Sequence, residues 1–313
     1  MRIVFMGTPE FAVPSLQALL SSGHEVVGVV TQPDKPKGRG QTITSPAVKM
    51  VAEKAGTPLL QPLKIKTPEF LNALTAWKPD LIAVTAFGRI LPAPILQLPP
   101  RGCINVHGSL LPKYRGAAPV QWAVINGERE TGITTMLMDE GMDTGPMLMQ
   151  EKLMIASDDT GGTVASRLAE VGGRLLVETI RQWEAGTLTA RQQDDSGATM
   201  APPLKKEDGV IDWTMSAQAL TNRLRGLSPW PGAYTFHERE RWNIWKAAYS
   251  HNDVRDEPGT IVSVTKHSLE VATGHGTLEI VEIQTANSKR MLIDQFLAGH
   301  RIIPGVRLGV GST

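Results

Sequence analysis

The sequence predicts an α/β fold: a Rossmann-like, mostly parallel sheet with helices on both faces, followed by a smaller OB-like β-barrel domain. Two observations support this prediction. In the first half of the chain, short uninterrupted apolar runs alternate with helical patterns, which is typical of parallel sheets that are buried on both faces. In the last third, short β-branched and aromatic runs are separated by turn residues, which is typical of small barrels.

The apolar runs of the first half are the predicted strands, and they cover residues 2–7, 25–30, 81–87, 103–108, 133–139 and 146–155. Helical patterns lie between and after them, at residues 11–23, 45–56, 67–77, 117–127 and 163–186. The second and third helices have start signals, because Ser45-Pro46 and Thr67-Pro68 each place a capping residue before a proline. We therefore expect Ser45 to cap the helix that follows it.

Composition divides the chain into three parts. Residues 1–188 are predicted to form the first domain, the polar, proline-containing stretch 189–207 a linker, and residues 208–313 the second domain. The second domain is expected to begin with a short helix at 216–227 and to continue as β-strands.

Composition also excludes several classes of protein. The formal net charge is +1, so binding to nucleic acid would need a local basic patch. A single cysteine, Cys103, allows no internal disulfide, and its place at the head of an apolar strand favours a buried residue over a nucleophile. The sequence has neither the layout of a signal peptide nor an apolar run of membrane-spanning length. We expect a cytoplasmic protein that does not bind membranes.

A row of polar residues marks the end of the strand at 103–108. Asn105, His107 and Ser109 occupy alternate positions, so in a strand they share one face. Ligands of parallel sheets bind at the carboxyl ends of strands. An amide and a protonated imidazole in such a place can both donate hydrogen bonds to a developing oxyanion. The alternative is that these side chains only satisfy backbone groups.

A second polar cluster, MDEGMDTG at residues 138–145, also follows an apolar strand. Either carboxylate of this cluster, Asp139 or Asp143, could orient an imidazole, although an ordinary Asp-Gly turn is the competing interpretation. A nucleophilic triad of Ser109, His107 and Asp143 is disfavoured, because the G-x-S-x-G elbow is absent. No metal is expected, since the histidines are scattered and cysteine pairs are lacking. The glycine fingerprints of dinucleotide and P-loop sites are also missing, which disfavours a dehydrogenase.

A basic segment, TQPDKPKGRGQTITSPAVK at residues 31–49, follows the second predicted strand. It is longer than the usual connection of about two to six residues. Its basic residues include Lys35, Lys37 and Arg39, which near a pocket could bind phosphates. The competing interpretation is a solvated surface loop.

The run N-V-H-G-S-L-L-P-K-Y-R-G (105–116), spaced before M-D-E-G-M-D-T-G (138–145), resembles the 10-formyltetrahydrofolate-dependent formyltransferases. In that family an Asn, a His and an Asp perform formyl transfer, and they fall here on Asn105, His107 and Asp143. The basic segment and the stretch G-V-I-D-W…R-G-L-S-P-W-P-G-A-Y-T (209–235) resemble the members that act on charged initiator tRNA. The similarity covers essentially the whole chain.

The resemblance implies a function and its partners. A formyl group would pass from 10-formyltetrahydrofolate, as co-substrate and without a metal, to the α-amine of methionyl initiator tRNA. The basic residues 35, 37 and 39 and the second domain would contact the tRNA, and we expect a monomer. The resemblance places the folate against Phe87, Gly88, Ile90, Leu91, Ser109, Leu110, Leu111, Pro112, Asp139 and Gly141. Two rivals stay open: a formyltransferase for a small amine, such as a purine-pathway ribonucleotide or an amino-sugar nucleotide, and a non-catalytic folate- or nucleotide-binding protein.

Overall fold

The structure, a computed structural model, describes residues 1–37, 42–252 and 254–309. The chain forms two compact units, and their members are interleaved along the sequence. The first unit contains Met1–Pro119, Glu130–Met154 and Ala165–Pro202, and the second contains Val120–Arg129, Ile155–Val164 and Pro203–Thr313. Residues 189–202 of the predicted linker therefore group with the first unit, while the functional boundaries of the domains stay a prediction.

The first unit contains the predicted mostly parallel sheet. Its seven strands are β1 Arg2–Gly7, β2 Glu25–Val30, β5 Leu59–Leu60, β6 Leu81–Thr85, β7 Cys103–His107, β9 Glu130–Leu137 and β10 Met147–Met154. Three short strands lie outside this sheet: β3 Lys35–Lys37, β4 Thr42–Thr44 and β8 Arg115–Gly116. The order across the sheet is β10-β9-β7-β6-β1-β2-β5. All pairings from β7 to β5 are parallel, whereas β9 runs antiparallel to both β7 and β10.

Both faces of this sheet are buried, as the continuous apolar strands predict. Val4 and Met6 on β1 join a core cluster with Phe70 on one face. Because neighbouring strand residues point to opposite faces, Phe5 lies on the other face, and it is also fully buried.

The helices largely match the predicted positions. They are α1 Val13–Leu20, α2 Ala47–Lys54, α3 Pro68–Ala76, α4 Ala93–Leu96, α5 Pro119–Ile125, α6 Gly161–Glu184, α7 Ala217–Gly226 and α8 Ile293–Gly299. Thr67 caps α3 by accepting a hydrogen bond from the Phe70 amide, as predicted. The predicted cap at Ser45 is wrong, because Pro46 occupies the N-cap position and the Ser45 hydroxyl donates to Asp34 at 3.2 Å. Within the described part of the chain, no helix is long and apolar enough to cross a membrane.

The last residues of the first unit, 191–201, pair with earlier parts of the same unit through backbone hydrogen bonds. Arg191 and Met147 exchange two hydrogen bonds of 2.8 Å. Further along, the short strand β11 Met200–Ala201 pairs in parallel with β8. The stretch from 191 to 201 is thus held at both ends.

The second unit contains an antiparallel barrel. Its strands are β12 Ala233–His237, β13 Glu240–Ser250, β14 Ile261–Val264, β15 Leu269–Ala272, β16 Thr277–Thr285 and β17 Met291–Leu292. They follow the order β12-β13-β16-β15-β14, with β17 on β16. The C-terminal stretch closes the ring, because Gly309 bridges to Phe236 and Arg307 bridges to Thr260. This closed arrangement agrees with the predicted OB-like barrel.

Candidate active site

Two of the predicted catalytic residues lie together at the carboxyl end of β7. Asn105 and His107 are two positions apart on this strand, so their side chains point to the same side. Their strand partners on β9 are Met136 and Thr134. His107 is 5% exposed and Asn105 is half-buried. The site therefore withdraws the imidazole from solvent but leaves the amide accessible.

The third predicted residue, Asp143, comes from the loop after β9 and meets the other two. Its Oδ1 lies 3.4 Å from Asn105 Nδ2, and its Oδ2 lies 3.6 Å from His107 Nδ1. The structure thus brings Asp143 to Asn105 although the two residues are 38 positions apart in sequence, and it places His107 beside both. Both distances exceed those of a strong charge-assisted hydrogen bond. In the absence of substrate, catalytic hydrogen bonds are often long, and they tighten when the reaction complex forms.

The orientation of the His107 ring is set by Tyr114. The Tyr114 carbonyl oxygen lies 2.9 Å from Nε2. A carbonyl can only accept, so Nε2 carries a hydrogen, and Nδ1 is the atom that faces Asp143. A protonated ring would present its second N–H to Asp143 and to any group placed beside it.

The tightest contact of the Asp143 carboxylate is with the backbone. The Gly116 amide donates to Oδ2 at 2.9 Å. Gly116 has φ +120, and an added Cβ would lie 2.7 Å from the Ala201 carbonyl oxygen. Only glycine fits here, because other residues clash in this conformation and at this approach.

Ser109 stabilises the loop that follows β7 through hydrogen bonds of its hydroxyl and its carbonyl. Its hydroxyl donates to the Lys113 carbonyl at 2.6 Å, and its own carbonyl accepts from Thr134 Oγ1 at 2.7 Å. Thr134 also accepts from the Leu111 amide at 3.0 Å. Because the Ser109 hydroxyl donates to a carbonyl and is fully buried, the structure gives no support to a triad built on it.

The residues predicted to line the folate differ in exposure. Phe87 and Leu91 are 2% exposed and belong to the hydrophobic core, and Leu111 is also buried. Ile90, in contrast, is 60% exposed. The Phe87 carbonyl already accepts from Gln32 Nε2 at 2.9 Å. Leu110 and Pro112 are half-buried and Gly88 is exposed. Of the predicted apolar residues, Ile90, Leu110 and Pro112 are therefore accessible to a flat ring. Their role in binding stays a prediction.

Asp139 and Gly141 shape the loop that presents Asp143. Asp139 Oδ1 accepts from the Gly141 amide at 3.0 Å and from Thr144 Oγ1 at 2.7 Å. A Cβ at Gly141 would lie 2.0 Å from Thr144 Oγ1. The turn is thus closed by its own side chains, next to the proposed reacting groups.

The basic segment begins and ends at one carboxylate. Asp34 accepts from Lys49 at 2.8 Å, from Gln61 at 2.8 Å and from Ser45 at 3.2 Å. The hydrogen bond from Gln61 and then the contact with Lys49 lower the pKa of Asp34. Between these ends, β3 and β4 pair as an antiparallel hairpin.

Two of the predicted tRNA contacts, Lys35 and Lys37, lie on this hairpin. Lys35 donates to Gln32 Oε1 at 2.6 Å, and Lys37 belongs to β3. Arg39 lies outside the described residues. The hairpin therefore carries two of the three predicted residues, and its contact with RNA stays a prediction.

Two other chemistries would depend on a cluster of metal ligands or on the thiol of Cys103. Among the described residues, no group of three His, Cys, Asp or Glu side chains could hold a metal ion. Cys103 is buried, and burial raises the pKa of its thiol to about 12. A thiol that stays protonated is a poor nucleophile.

Sequence reasoning missed three residues that build the site: Tyr114, Gly116 and Gln193. The first two stand in the run 105–116, but they act through backbone atoms, which a sequence pattern does not reveal. Gln193 lies in the predicted linker and contacts the backbone of Asp143. No local signal in the sequence marks it.

Comparison with known families accounts for both parts of the chain. The family described as "Formyl transferase" matches residues 1–180, and the one described as "Formyl transferase, C-terminal domain" matches residues 203–301. The chain is 53% identical over 302 residues to a methionyl-tRNA formyltransferase of Desulfotalea psychrophila, covering 96% of this chain and 94% of that one. It is 48% identical over 309 residues to the Geobacter sulfurreducens protein of that name, covering 99% and 97%.

Solved structures share the fold at low sequence identity. An N-formyltransferase from Helicobacter canadensis, in complex with folinic acid and dTDP-3-aminofucose, is 16% identical with a TM-score of 0.66, over 93% of this chain and 100% of that one. HypX from Aquifex aeolicus, in complex with tetrahydrofolic acid, is 17% identical with a TM-score of 0.60, over 96% and 47%.

Proposed function

The chain belongs to the formyl transferase family, and we propose that it transfers a formyl group from 10-formyltetrahydrofolate to the α-amine of methionyl initiator tRNA. The product is formylmethionyl-tRNA for translation initiation. The observation that carries this function is the convergence of Asn105, His107 and Asp143 on one spot. The acceptor follows from the curated relatives, which match nearly the full length of the chain.

The chemistry is the attack of an amine on a formyl carbon. The neutral α-amine adds to the carbon, the carbonyl oxygen becomes negative, and a tetrahedral intermediate forms. The bond between the formyl carbon and N10 of the folate then breaks, and the amine loses a proton while N10 gains one. Donors placed beside the oxygen favour the intermediate, because they stabilise charge that is absent in the ground state.

Asn105 and His107 are the proposed donors. The Asn105 amide and the Nδ1–H of a protonated His107 both flank Asp143, so they converge on the space beside it. Removing one such donor typically raises a barrier by about 3 kcal/mol. The ring is held by the Tyr114 carbonyl, so little reorganisation is needed when charge develops.

Asp143 has two proposed roles. Its carboxylate pairs with the protonated imidazole and keeps the ring and the amide facing the same place. It also accepts the proton of the attacking amine, directly or through one water, as a general base. Its hydrogen bond from Gly116 holds the carboxylate in place for both roles.

The folate is proposed to lie against the loops at 87–91 and 109–112 and the turn at 139–141. The buried side chains of Phe87, Leu91 and Leu111 anchor these loops. The exposed side chain of Ile90 supplies apolar surface for the ring. A flat heteroaromatic ring needs apolar walls and a few directed polar groups. The backbone of the loops and Asp139 supply the polar groups.

The tRNA is proposed to contact Lys35, Lys37 and Arg39, together with residues 208–313. Basic side chains bind phosphates without reading sequence. We propose the domain limits 1–188, 189–207 and 208–313 for catalysis, connection and tRNA binding. Because charged tRNA is its substrate, we place the protein in the cytoplasm, and we propose that it acts as a monomer.

The test is transfer of radiolabelled formyl from 10-formyltetrahydrofolate to a set of acceptors. We expect methionyl initiator tRNA to be formylated, with elongator methionyl-tRNA, a purine-pathway ribonucleotide and an amino-sugar nucleotide far behind. If formyl transfer to either small amine is faster than transfer to methionyl initiator tRNA, that amine is the acceptor and the proposed one is wrong. No transfer to any amine, with folate still bound, would favour a binding protein.

A further inference from the structure

We infer that Gln193 is a positioning residue for the reaction: its carboxamide holds the backbone of Asp143 so that the carboxylate faces His107 and Asn105. The inference rests on the proposed function, since it assigns Gln193 a role toward the proposed catalytic residues. The hydrogen bonds of Gln193 go to the side chain of Arg115 and to the carbonyls of Asp143 and Gly145. Gln193 acts on the turn that presents Asp143.

Gln193 binds two carbonyls of this turn at once. Its Nε2 donates to the Asp143 carbonyl and to the Gly145 carbonyl, each at 2.8 Å. An amide nitrogen has two hydrogens, so one group serves both acceptors. Asp143 has φ +55, a left-handed conformation that is uncommon for non-glycine residues, although Asp tolerates it better than most, and that tertiary contacts can restrain. The two bonds lie on either side of Thr144 and supply that restraint.

Arg115 fixes which way the carboxamide points. Gln193 Oε1 accepts from Arg115 Nε at 3.0 Å and from Nη2 at 2.8 Å. A guanidinium can only donate and a carbonyl can only accept. Only one orientation of the amide therefore satisfies all four contacts, and that orientation aims the NH₂ group at Asp143. Arg115 is buried, and Asp195 at 2.7 Å is its charged partner.

The same stretch of chain also supports the carboxylate of Asp143. Arg115 is followed by Gly116, whose amide binds Asp143 Oδ2, and β8 pairs with β11. The stretch 191–201 thus holds the main chain of Asp143 through Gln193 and its carboxylate through Gly116. Both restraints act on Asp143, whose carboxylate contacts Asn105 and His107.

Gln193→Glu is the sharpest test. The variant is nearly isosteric and keeps an acceptor for Arg115, but it turns an oxygen toward two carbonyl oxygens. We expect the single-turnover rate to fall about 10- to 100-fold, because a small displacement of a catalytic group costs this much. KM for folate and for tRNA should stay within about two-fold, because Gln193 binds Arg115, Asp143 and Gly145, which are not among the residues proposed to bind either substrate. Gln193→Met removes both donors without adding charge and should behave alike.

The matched control is Gln97→Glu, an exposed glutamine after α4 that undergoes the same change of charge. It should keep the wild-type rate. A second readout is the ¹⁵N NMR spectrum of the histidine rings. The signals of His107 are those that disappear in the variant His107→Ala. Gln193→Glu should shift these signals and leave those of the other histidines unchanged.

The outcomes separate this inference from the proposed function. If Asp143→Asn loses activity but Gln193→Glu and Gln193→Met keep the wild-type rate and the His107 spectrum, the inference fails and the function stands. If Asp143→Asn is fully active, the proposed catalytic site fails. If neither Gln193 variant folds, the inference is also overturned, because the carboxamide would then be required for the fold itself.

Discussion

The Tyr114 carbonyl oxygen lies 2.9 Å from Nε2 of His107, and this contact decides which ring nitrogen faces the reacting groups. With Nε2 bound to the backbone, Nδ1 is left beside Asp143 at 3.6 Å. In a protonated ring, the longer distance would leave the hydrogen on Nδ1 able to reach an oxygen that arrives with substrate. A ring held on one side and open on the other is suited to stabilising transient charge.

Asp143→Asn should lower kcat by about 100-fold or more, because the neutral amide cannot pair with a protonated imidazole or accept the amine proton. The Gly116 amide can still donate to the remaining carbonyl oxygen, so the loop should fold. Single-turnover formyl transfer measures the loss. The control is Glu170→Gln, which also replaces a carboxylate by an amide but at an exposed position on α6. It should leave the rate unchanged. Equal rates for the two variants would contradict the role of Asp143.

Gly116→Ala should lower both the free energy of unfolding and the activity. Its Cβ would lie 2.7 Å from the Ala201 carbonyl oxygen at φ +120, so we expect a loss of at least about 1–3 kcal/mol. Gly186→Ala is the control, since Gly186 has φ +68 but no atom within 4 Å of an added Cβ. Urea unfolding of both variants separates the close approach from the backbone conformation. Equal losses would show that the contact with Ala201 is unimportant.

Cys103 should behave as a buried, unreactive thiol. With its pKa raised to about 12, it should not react with a thiol reagent at pH 8 until the protein unfolds, and Cys103→Ala should retain turnover. The unfolded thiol ionises near its ordinary pKa of 9.0, so the unfolded chain binds fewer protons above that pH. Wild-type stability should therefore fall more steeply than that of Cys103→Ala between about pH 9 and 12. Rapid labelling of the native protein would refute this description.

Lys35→Gln should raise KM for methionyl-tRNA and leave KM for folate nearly unchanged. If Lys35 neutralises one phosphate, the slope of log affinity against log salt should fall in magnitude by about one. Lys78→Gln is the control, because Lys78 is exposed and precedes β6, at the opposite end of the strands. Equal losses of folate and tRNA binding would count against the assignment of the hairpin.

Much of the fold could be predicted because its causes are local. Continuous apolar runs such as that of β1 require burial on both faces, and Thr67 followed by Pro68 is a strong helix start. Ser45 gives the same signal, but its hydroxyl binds Asp34, which is 11 positions away. A tertiary hydrogen bond to Asp34 thus takes the place of the local helix cap, and only the folded structure shows this contact.

The candidate site could be predicted in part for the same reason. Alternation along β7 places Asn105 and His107 on one face, and the resemblance to a family added Asp143. Alternation also groups Ser109 with them, but β7 ends at His107 and Ser109 turns to the Lys113 carbonyl. Gln193 could not be found, because its role depends on a contact across 50 positions with a backbone oxygen.

The most direct test of the account is the single-turnover rate of formyl transfer to methionyl initiator tRNA by His107→Ala. His24→Ala, which removes an imidazole at the opposite end of the strands, is the reference. We predict a rate about 100- to 1,000-fold below wild type for His107→Ala, with folate and tRNA still bound, and a wild-type rate for His24→Ala. A His107→Ala protein that transfers formyl at the wild-type rate would contradict the central claim.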